Sequence, residues 1–298
     1  QQRYPGGSVI NNSSELIADP RVDAVAIATP VSTHYPLVLE SLRAGKHVLV
    51  TKPLAATSEQ ARHLIDEAAR LKRVLLVDHT FIYHGAVRKI KELVSEQKLG
   101  EIYYYDSVRI NLGLYQSDVN VLWDLAVHDL SIMDYILPDQ PLAVSTAGIS
   151  HVPDGGEDVA YLTFFFNTPL IAHINVNWLS PVKIRRTLIG GGRKMVVYDD
   201  LEPSEKIKIY DKGITVDNNP ENVYQRRIGY RTGDMWAPRL DTTEALKTEM
   251  AHFIDCIEHG TRPISDGESG LRTITLLEAA TKSMSQQGKP VELPAREG

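Results

Sequence analysis

An aspartate and a histidine, Asp124 and His128, lie four residues apart in the segment VLWDLAVHDLSIMDYIL. On a helix this spacing places two side chains on one face, one above the other. The neighbouring residues are mostly Trp, Leu, Val, Ile and Met, which indicates a helix buried on most sides. A carboxylate and an imidazole in such surroundings need partners or a cavity. Because histidine exchanges a proton near neutral pH, the pair could carry out acid–base chemistry.

The same pair allows two other interpretations. His128 could be a core histidine and Asp124 a structural aspartate, and from the spacing alone this explains the pair as well as catalysis does. The two side chains could also ligate a metal ion with Asp129, although on a helix Asp129 points to a different face. No further ligand is indicated, so we expect no metal.

Lys52 ends an apolar, strand-like segment and precedes Pro53. At a strand end its ammonium can hydrogen-bond an anionic or hydroxyl-bearing ligand, or take part in proton transfer if its pKa is lowered. The alternative is a solvated lysine without a function. Tyr83, Arg109 and Trp123 could line a pocket, although aromatic residues at helical or strand spacing are more often part of the core.

The segment that positions Lys52 reads as strand, loop, helix, strand and loop. Residues 22–27 form a nearly continuous apolar run, as expected of a parallel strand buried on both faces. A helix over 35–44 leads to a second strand over 47–50, and the three elements make a right-handed βαβ unit. Ligands of such sheets bind at the carboxyl ends of the strands. The predicted rim contains Thr29, His34, Thr51 and Lys52.

Further along, a helix capped by Thr57 and a strand over 74–77 continue the alternation of a doubly wound domain. From Glu101 onward strands follow one another, which indicates an antiparallel, open-faced sheet. Its predicted strands span 102–112, 142–149, 158–167, 170–179, 183–189, 194–198 and 206–210. Helices are predicted over 118–137, 242–259 and 270–286, and a long surface loop over 218–241.

The composition excludes several classes of protein. The 298 residues are 43% hydrophobic and 23% charged, as in a soluble chain of about two domains. The net charge of -6 gives no sign of the positive charge that binding to nucleic acid or a membrane surface favours. No apolar run approaches the ~20 residues that span a bilayer. The single cysteine, Cys256, fits a buried core thiol and a reducing cytoplasm.

No G-x-G-x-x-G motif occurs in the sequence. Gly190-Gly191-Gly192 precedes a predicted strand rather than a helix, so it lacks the context of a phosphate-binding loop. We expect a hairpin turn there.

Five motifs follow one another along the chain. They are A-T-P-x-x-x-H (28–34), L-x-A-G-K-H-V-L-V-x-K-P (42–53), HTFIY (79–83), WDLAVHD (123–129) and F-I-D-C-I-x-x-G-x-R-P (253–263). Together they resemble the Gfo/Idh/MocA family of NAD(P)-dependent sugar and polyol oxidoreductases over essentially the whole chain. The WDLAxHD and HTF-x-Y forms are most similar to the branch that oxidises UDP-linked amino sugars or their uronates.

The resemblance implies an α/β fold: a Rossmann-type parallel sheet, here lacking its first strands, followed by an α+β domain with a large open, mostly antiparallel sheet. Residues 1–80 would form the partial dinucleotide-binding domain. Residues 81–298 would form the substrate and oligomerisation domain, with the C-terminal helices packing back. The Tyr- and Phe-rich strands of the large sheet favour a homo-oligomer, either a dimer or a tetramer.

The resemblance also implies roles for individual residues. NAD or NADP would be the cofactor and carry the hydride chemistry, and a sugar or nucleotide sugar would be the substrate. Lys52 would hydrogen-bond the reacting hydroxyl and the nicotinamide ribose, His128 would take the hydroxyl proton, and Asp124 would orient the site. The dinucleotide would be contacted by Ala28, Thr29, Pro30, His34, Thr51 and Lys52. The substrate would be contacted by Tyr83, Arg109 and Trp123.

Two departures from the family pattern stand out. The family's E-K-P is Thr51-Lys52-Pro53 here, so the carboxylate that helps to hold the lysine is replaced. Family members begin with a strand, a Gly-rich turn, a helix and a second strand, which this sequence lacks. Residues 8–10 would be the next strand, and the strand over 22–28 would become an apolar edge. We therefore expect a fragment of a longer protein, with weak or no dinucleotide binding if it is the whole product.

Two other functions remain open from the sequence. An inactive relative, kept for binding sugar nucleotides or for assembly through its sheet, is favoured by Thr51 and the missing Gly-rich turn. The retained Lys52, Asp124 and His128 favour an enzyme instead. A metal-dependent hydrolase that uses Asp124 and His128 is the weaker alternative.

Overall fold

The computed structural model describes residues 9–113, 119–153, 155–216 and 228–294. The chain divides into two compact units. The first unit comprises Gln1–Thr80 and Leu246–Ile274, and the second unit comprises Phe81–Ala245 and Thr275–Gly298. Within the described ranges, no helix combines the length and apolar character that crossing a bilayer requires.

The helices of the described residues are α1 (Ser13–Ala18), α2 (His34–Arg43), α3 (Ser58–Leu71), α4 (Gly85–Ser95), α5 (Val127–Ile136), α6 (Ala245–His259) and α7 (Gly267–Ser285). A π-helical turn, Leu122–Ala126, leads directly into α5. Short 3-10 turns occur at Val31–Thr33 and Thr80–Tyr83.

The strands are β1 (Ala24–Ile27), β2 (His47–Thr51), β3 (Leu75–Asp78), β4 (Ile102–Ile110), β5 (Ala143–Ile149), β6 (Val159–Phe165), β7 (Ile171–Asn177), β8 (Ile184–Gly191), β9 (Met195–Asp199), β10 (Ile207–Tyr210), β11 (Gly213–Val216), β12 (Ile228–Arg231), β13 (Met235–Trp236) and β14 (Val291–Glu292).

The first unit is built on a parallel sheet of the strands β1, β2 and β3 in that order. The central strand β2, predicted as a second strand over 47–50, is buried on both faces. Burial on both faces was predicted for β1 and is wrong there, because Ala26 is exposed between the buried Val25 and Ile27. The predicted strand at residues 8–10 is also absent where it is described: Val9 and Ile10 are irregular and exposed, and Ser8 lies outside the described residues.

Local signals set the ends of the helices in the first unit. The Thr57 hydroxyl accepts a hydrogen bond from the Gln60 backbone N–H at 3.2 Å, and this caps α3 as predicted. Helix α2 ends at Gly45, whose φ of 79° lies in the left-handed region that favours glycine. The chain therefore turns sharply there into β2.

The second unit contains a nine-stranded sheet in the order β13, β10, β9, β8, β4, β7, β6, β5, β14. The pair β4 and β7 is parallel and the other pairs are antiparallel, which confirms the predicted large, mostly antiparallel sheet. One face of this sheet packs against α4, α5 and the C-terminal half of α7 in a single hydrophobic core. The other face is not covered by the described residues and exposes Tyr161, Phe165 and Ile171.

Two sequence predictions for this unit need correction. The segment 218–241 is not one loop, because β12 pairs with β11 and β13 adds to the edge strand β10; residues 217–227 lie outside the described part. The helix predicted over 118–137 begins at Leu122 with the π-helical turn, and Asp118 is also outside. Strands as short as β12 and β13 span too few residues to show a hydrophobic period from which they could be recognised.

The glycine run at 190–192 forms a hairpin, as expected, but two of its glycines belong to strand β8. A Cβ atom at Gly190 would overlap the ring of Tyr104 on the neighbouring strand β4. The residue is therefore needed for close packing between strands rather than for the turn itself.

A buried carboxyl group, that of Glu249 on α6, faces Asp78 at the end of β3 in the first unit. Neither Glu249 oxygen meets a hydrogen-bond donor among the described residues. Burial, followed by the negative charge of Asp78, raises the pKa of Glu249 to about 9. A protonated Glu249 can donate to the Asp78 carboxylate, whereas an ionised one would leave two buried acceptors unsatisfied.

We expect the Glu249→Gln variant to become more stable than the parent as the pH rises. Because the folded-state pKa is raised, the folded state holds one more proton than the unfolded state between about pH 4.5 and pH 9, and the parent loses stability across that window. Glutamine keeps a donor towards Asp78 at every pH. The gain over the parent should be near zero at pH 5 and on the order of 2–4 kcal/mol in the free energy of unfolding at pH 9.

Urea denaturation at pH 5, 7 and 9 measures this difference, and Glu258→Gln, at an exposed position of the same helix, is the matched control. A gain for Glu249→Gln that does not grow with pH would show that Glu249 is ionised in the folded protein.

Candidate active site

The first group of predicted site residues lies at the carboxyl ends of β1 and β2. Ala28, Thr29 and Pro30 follow β1 and are exposed, and Thr51 and Lys52 end β2 and are half-buried. Because β1 and β2 are parallel neighbours, with Ile27 opposite Val50, their carboxyl ends lie at the same edge of the sheet. The structure thus brings these five residues to one rim.

His34 joins the two halves of this rim. It is buried at 1% exposure, with Nε2 2.8 Å from the Thr29 carbonyl oxygen and Nδ1 2.7 Å from the Pro53 carbonyl oxygen. A neutral imidazole donates one of these hydrogen bonds, and a protonated imidazole donates both. The ring therefore crosslinks the loop after β1 to the loop after β2. Contact between His34 and a dinucleotide stays a prediction.

The hydroxyl groups of the first loop have defined directions. The Thr33 hydroxyl donates to the Pro30 carbonyl oxygen at 2.7 Å, so its only proton is used there. The 2.6 Å contact between the Thr29 and Thr33 hydroxyl oxygens must therefore be donated by Thr29. Thr29 thus presents lone pairs, and acts as an acceptor, towards any ligand at the rim.

The second group of predicted residues lies in the second unit, around the start of α5. Asp124 belongs to the π-helical turn, a rare geometry that often occurs at functional sites. Its Oδ2 accepts a hydrogen bond of 3.1 Å from the Trp178 indole N–H. Trp178 is buried at the end of β7 and forms no part of the sequence-based prediction. Its indole holds the Asp124 carboxylate in a fixed direction.

His128 lies one turn further along and contacts Phe81. The two ring centroids are 5.0 Å apart, and the planes form an angle of 68° in a T-shaped arrangement. This geometry is favourable for aromatic pairs. Phe81 belongs to the HTFIY motif, although the sequence patterns assign it no role of its own.

Arg109, predicted to contact substrate, lies in a buried ion pair with Asp129. Its Nε is 2.6 Å from the Asp129 Oδ2, and the two residues are exposed by only 3% and 2%. Ser107 donates a further hydrogen bond of 2.7 Å to the Asp129 Oδ1. These partners use the Asp129 carboxylate, so it is not available as the third metal ligand considered above. Among the described residues, no three His, Cys, Asp or Glu side chains converge as a metal site.

The remaining two predicted substrate contacts are also engaged in packing. Tyr83 is buried with Ile82 and Ala245. Trp123 is half-buried, and its indole N–H donates to the Thr281 hydroxyl of α7 at 3.2 Å. Contact of Tyr83, Trp123 or Arg109 with substrate stays a prediction.

The chain therefore has a two-part architecture: a parallel α/β unit with polar residues at its strand ends, and a large sheet whose buried helix carries Asp124 and His128. Family models match both parts. Residues 2–79 match an oxidoreductase family with an NAD-binding Rossmann fold, and residues 91–293 match the C-terminal alpha/beta domain of the same family.

Known proteins agree with these matches. The chain is 30% identical over 264 residues to the uncharacterized oxidoreductase YdgJ of Escherichia coli, covering 83% of this chain and 71% of that protein. It is 27% identical over 262 residues to the UDP-N-acetylglucosamine 3-dehydrogenase of Acidithiobacillus ferrooxidans, covering 85% of this chain and 76% of that protein. A solved structure of that dehydrogenase has the same fold, with a TM-score of 0.78 at 24% identity over 94% of this chain and 84% of the other.

The chain belongs to the Gfo/Idh/MocA oxidoreductase family. This confirms the resemblance seen in the five sequence motifs, and it confirms a nicotinamide dinucleotide as the cofactor class.

Replacing His34 by alanine should destabilise the first unit. The change removes the ring that joins two loops and leaves the buried Pro53 carbonyl group without this partner, at an expected cost of about 1–3 kcal/mol in the free energy of unfolding. Urea denaturation measures the loss. His63→Ala is the control, because His63 is exposed and bonds only at the surface to the Tyr35 hydroxyl. Equal losses in the two variants would contradict the crosslinking role.

Proposed function

We propose that this protein is an NAD(P)-dependent dehydrogenase that acts on a secondary hydroxyl of a sugar, and that the sugar is linked to a nucleotide. The observation that carries the proposal is the helix that holds Asp124 and His128: it is buried on most sides, yet it keeps a carboxylate directed by Trp178 and an imidazole suited to proton transfer. Asp124 and His128 are themselves only half-buried, so the helix keeps its two polar groups on a part of its surface that the core does not enclose.

The rim of the first unit fits a dinucleotide. Exposed backbone and hydroxyl groups of Ala28, Thr29 and Pro30, and the half-exposed Thr51 and Lys52, stand at strand ends, where open α/β sheets bind ligands. When bound, the nicotinamide cofactor supplies the hydride chemistry. The rim residues hold it, and the crosslink through His34 keeps the two loops in place.

The chain's own residues supply position and proton transfer. Lys52 hydrogen-bonds the reacting hydroxyl, which stabilises negative charge on that oxygen. His128 accepts the hydroxyl proton as the carbon–oxygen single bond becomes a carbonyl. Asp124, held by the indole of Trp178, orients the reacting groups. These roles follow the family resemblance of the motifs over 42–53 and 123–129.

Similarity to the UDP-N-acetylglucosamine 3-dehydrogenase over 85% of this chain supports a nucleotide-linked sugar as the substrate. One observation favours the inactive relative instead, namely the uncharged Thr51 beside Lys52. Its hydroxyl oxygen lies 3.5 Å from the His34 Nε2, at the limit of a hydrogen bond. Because threonine is uncharged, Thr51 adds no negative charge beside Lys52. A direct measurement of turnover separates the two functions.

The decisive variant is His128→Asn. We expect oxidation of UDP-N-acetylglucosamine, followed by the absorbance of the reduced nicotinamide, to fall by about 10²-fold or more. The free energy of unfolding and the affinity for NADH should stay as in the parent, since asparagine retains a polar group of similar length. His259→Asn is the matched control, because His259 lies at the end of α6, where its side chain is 64% exposed.

Turnover of His128→Asn at the parent's level would remove His128 from the reaction. Binding of NADH by the parent without turnover of any nucleotide sugar, free sugar or polyol would favour the inactive relative.

We also propose that the open face of the nine-stranded sheet binds a second copy of the same chain. The support is its composition: Tyr161, Phe165 and Ile171 are each 40–48% exposed on adjacent strands. The Tyr161 ring stacks on His173, which contacts Asp106 at 3.3 Å. A broad face of this mixed kind is typical of homo-oligomer interfaces.

Light scattering after size-exclusion chromatography should give at least twice the mass of one chain. The double variant Tyr161→Lys, Ile171→Lys should be monomeric at the same concentration, because it places unpaired charges in the contact. Leu112→Lys, at an exposed position outside the strands, is the control. A parent that is monomeric at 100 µM would contradict the interface.

A further inference from the structure

We propose that Phe81 and Arg109 are positioning residues that hold the imidazole of His128 in place. Together with Asp129 they form what we call the His128 support. That these residues affect turnover rests on the proposed dehydrogenase function. That they hold the His128 ring rests on the geometry of the second unit.

The contacts of the His128 support close a loop. The His128 ring packs on Phe81 at a centroid distance of 5.0 Å. The Arg109 guanidinium carbon lies 4.5 Å from the centroid of the same Phe81 ring. Arg109 then pairs with Asp129, whose backbone directly follows that of His128. The ring of His128 is therefore tied at one end through the helix and at the other through Phe81.

Each member of the loop is itself held. Arg109 is anchored in β4 by the 2.6 Å contact with Asp129, whose other oxygen accepts the Ser107 hydroxyl at 2.7 Å. Ser107 in turn lies 3.1 Å from the Thr187 hydroxyl of the neighbouring strand β8. A buried network with these partners fixes the guanidinium in one direction.

A second arginine also faces the Phe81 ring, which supports a role for this ring in the arrangement. Arg185 stands directly opposite Arg109 in the β4–β8 register, and its guanidinium carbon is 5.9 Å from the Phe81 centroid. Two like charges at opposed positions repel each other. Asp129 of α5 pairs with Arg109, and Asp200, just after β9, pairs with Arg185, so two carboxylates allow both cations to face one aromatic ring.

The expected result of this arrangement is a single orientation of the His128 ring. The T-shaped contact with Phe81 adds a constraint on the terminal torsion of the His128 ring, whose energy profile is otherwise broad. A base in the wrong orientation cannot accept the substrate proton, and small misplacements in an active site lower the rate strongly. Phe81 would thus act on kcat through His128 without touching the substrate.

The test uses Phe81→Leu, because this change removes the ring and leaves the Arg109–Asp129 pair intact. We expect the aromatic NMR signals of the His128 ring, identified by their loss in His128→Asn, to shift and broaden. We expect kcat to fall about tenfold with KM changed by less than about twofold. Phe81→Tyr keeps the ring and should restore both readouts.

Two comparisons separate positioning from a general loss of packing. In the His128→Asn background, Phe81→Leu should cause no further loss of turnover, since the group it positions is gone. Phe166→Leu is the matched control for lost aromatic packing, because Phe166, like Phe81, is a partly buried residue packed against the same core. It should leave the His128 signals unchanged.

The NMR measurement tests the structural support of His128, and the turnover measurement tests the proposed function, so each can be contradicted without the other. Unchanged His128 signals in Phe81→Leu, or an additive loss of turnover in the His128→Asn background, would overturn the inference. A parent without turnover whose His128 signals still respond to Phe81→Leu would refute the proposed function while the structural support stands.

Discussion

The burial of α5 is the constraint on which the second unit depends. This helix lies in the core between the nine-stranded sheet and its neighbouring helices, with seven of its residues buried. Any polar side chain on it must therefore find a partner or face a cavity. Asp129 pairs with Arg109, the Ser131 hydroxyl bonds the His128 carbonyl oxygen, and Asp124, just before α5, receives the Trp178 indole N–H. The contacts that satisfy these polar groups are therefore the same contacts that shape the candidate site.

The first unit follows the same rule at the ends of its strands. A parallel sheet of short strands leaves loops whose backbone groups need partners. His34 supplies one by joining the Thr29 and Pro53 carbonyl groups, while the Thr29 side chain is exposed at the rim. Glu249 is an exception to this rule. Its carboxyl group is buried beside Asp78, and its pKa is raised to about 9 as a result.

The alternation of side chains along β4 serves two purposes at once. Ser107 and Arg109 point to the face that packs against α5 and reach Asp129, whereas Asp106 points to the open face and contacts His173. Successive residues of a strand project to opposite faces. One strand therefore contributes to the support of His128 and to the surface proposed for assembly, and a slip of one residue in its register would disrupt both.

The sequence alone determined the elements with strong hydrophobic periods and the motifs that lie beside them. The parallel strands, the long antiparallel strands, the helices and the rim from Ala28 to Lys52 follow from local patterns, since burial of a face imposes a period on the chain. The tertiary structure decided what local patterns do not contain. Trp178 is 54 residues from Asp124, Arg109 is 20 residues from Asp129, and His34 is 19 residues from Pro53. These pairs form because distant elements pack together, and the identity of a polar residue does not reveal which distant partner packing will bring to it. The same reason explains β12 and β13, whose backbone pairing leaves no period in the sequence.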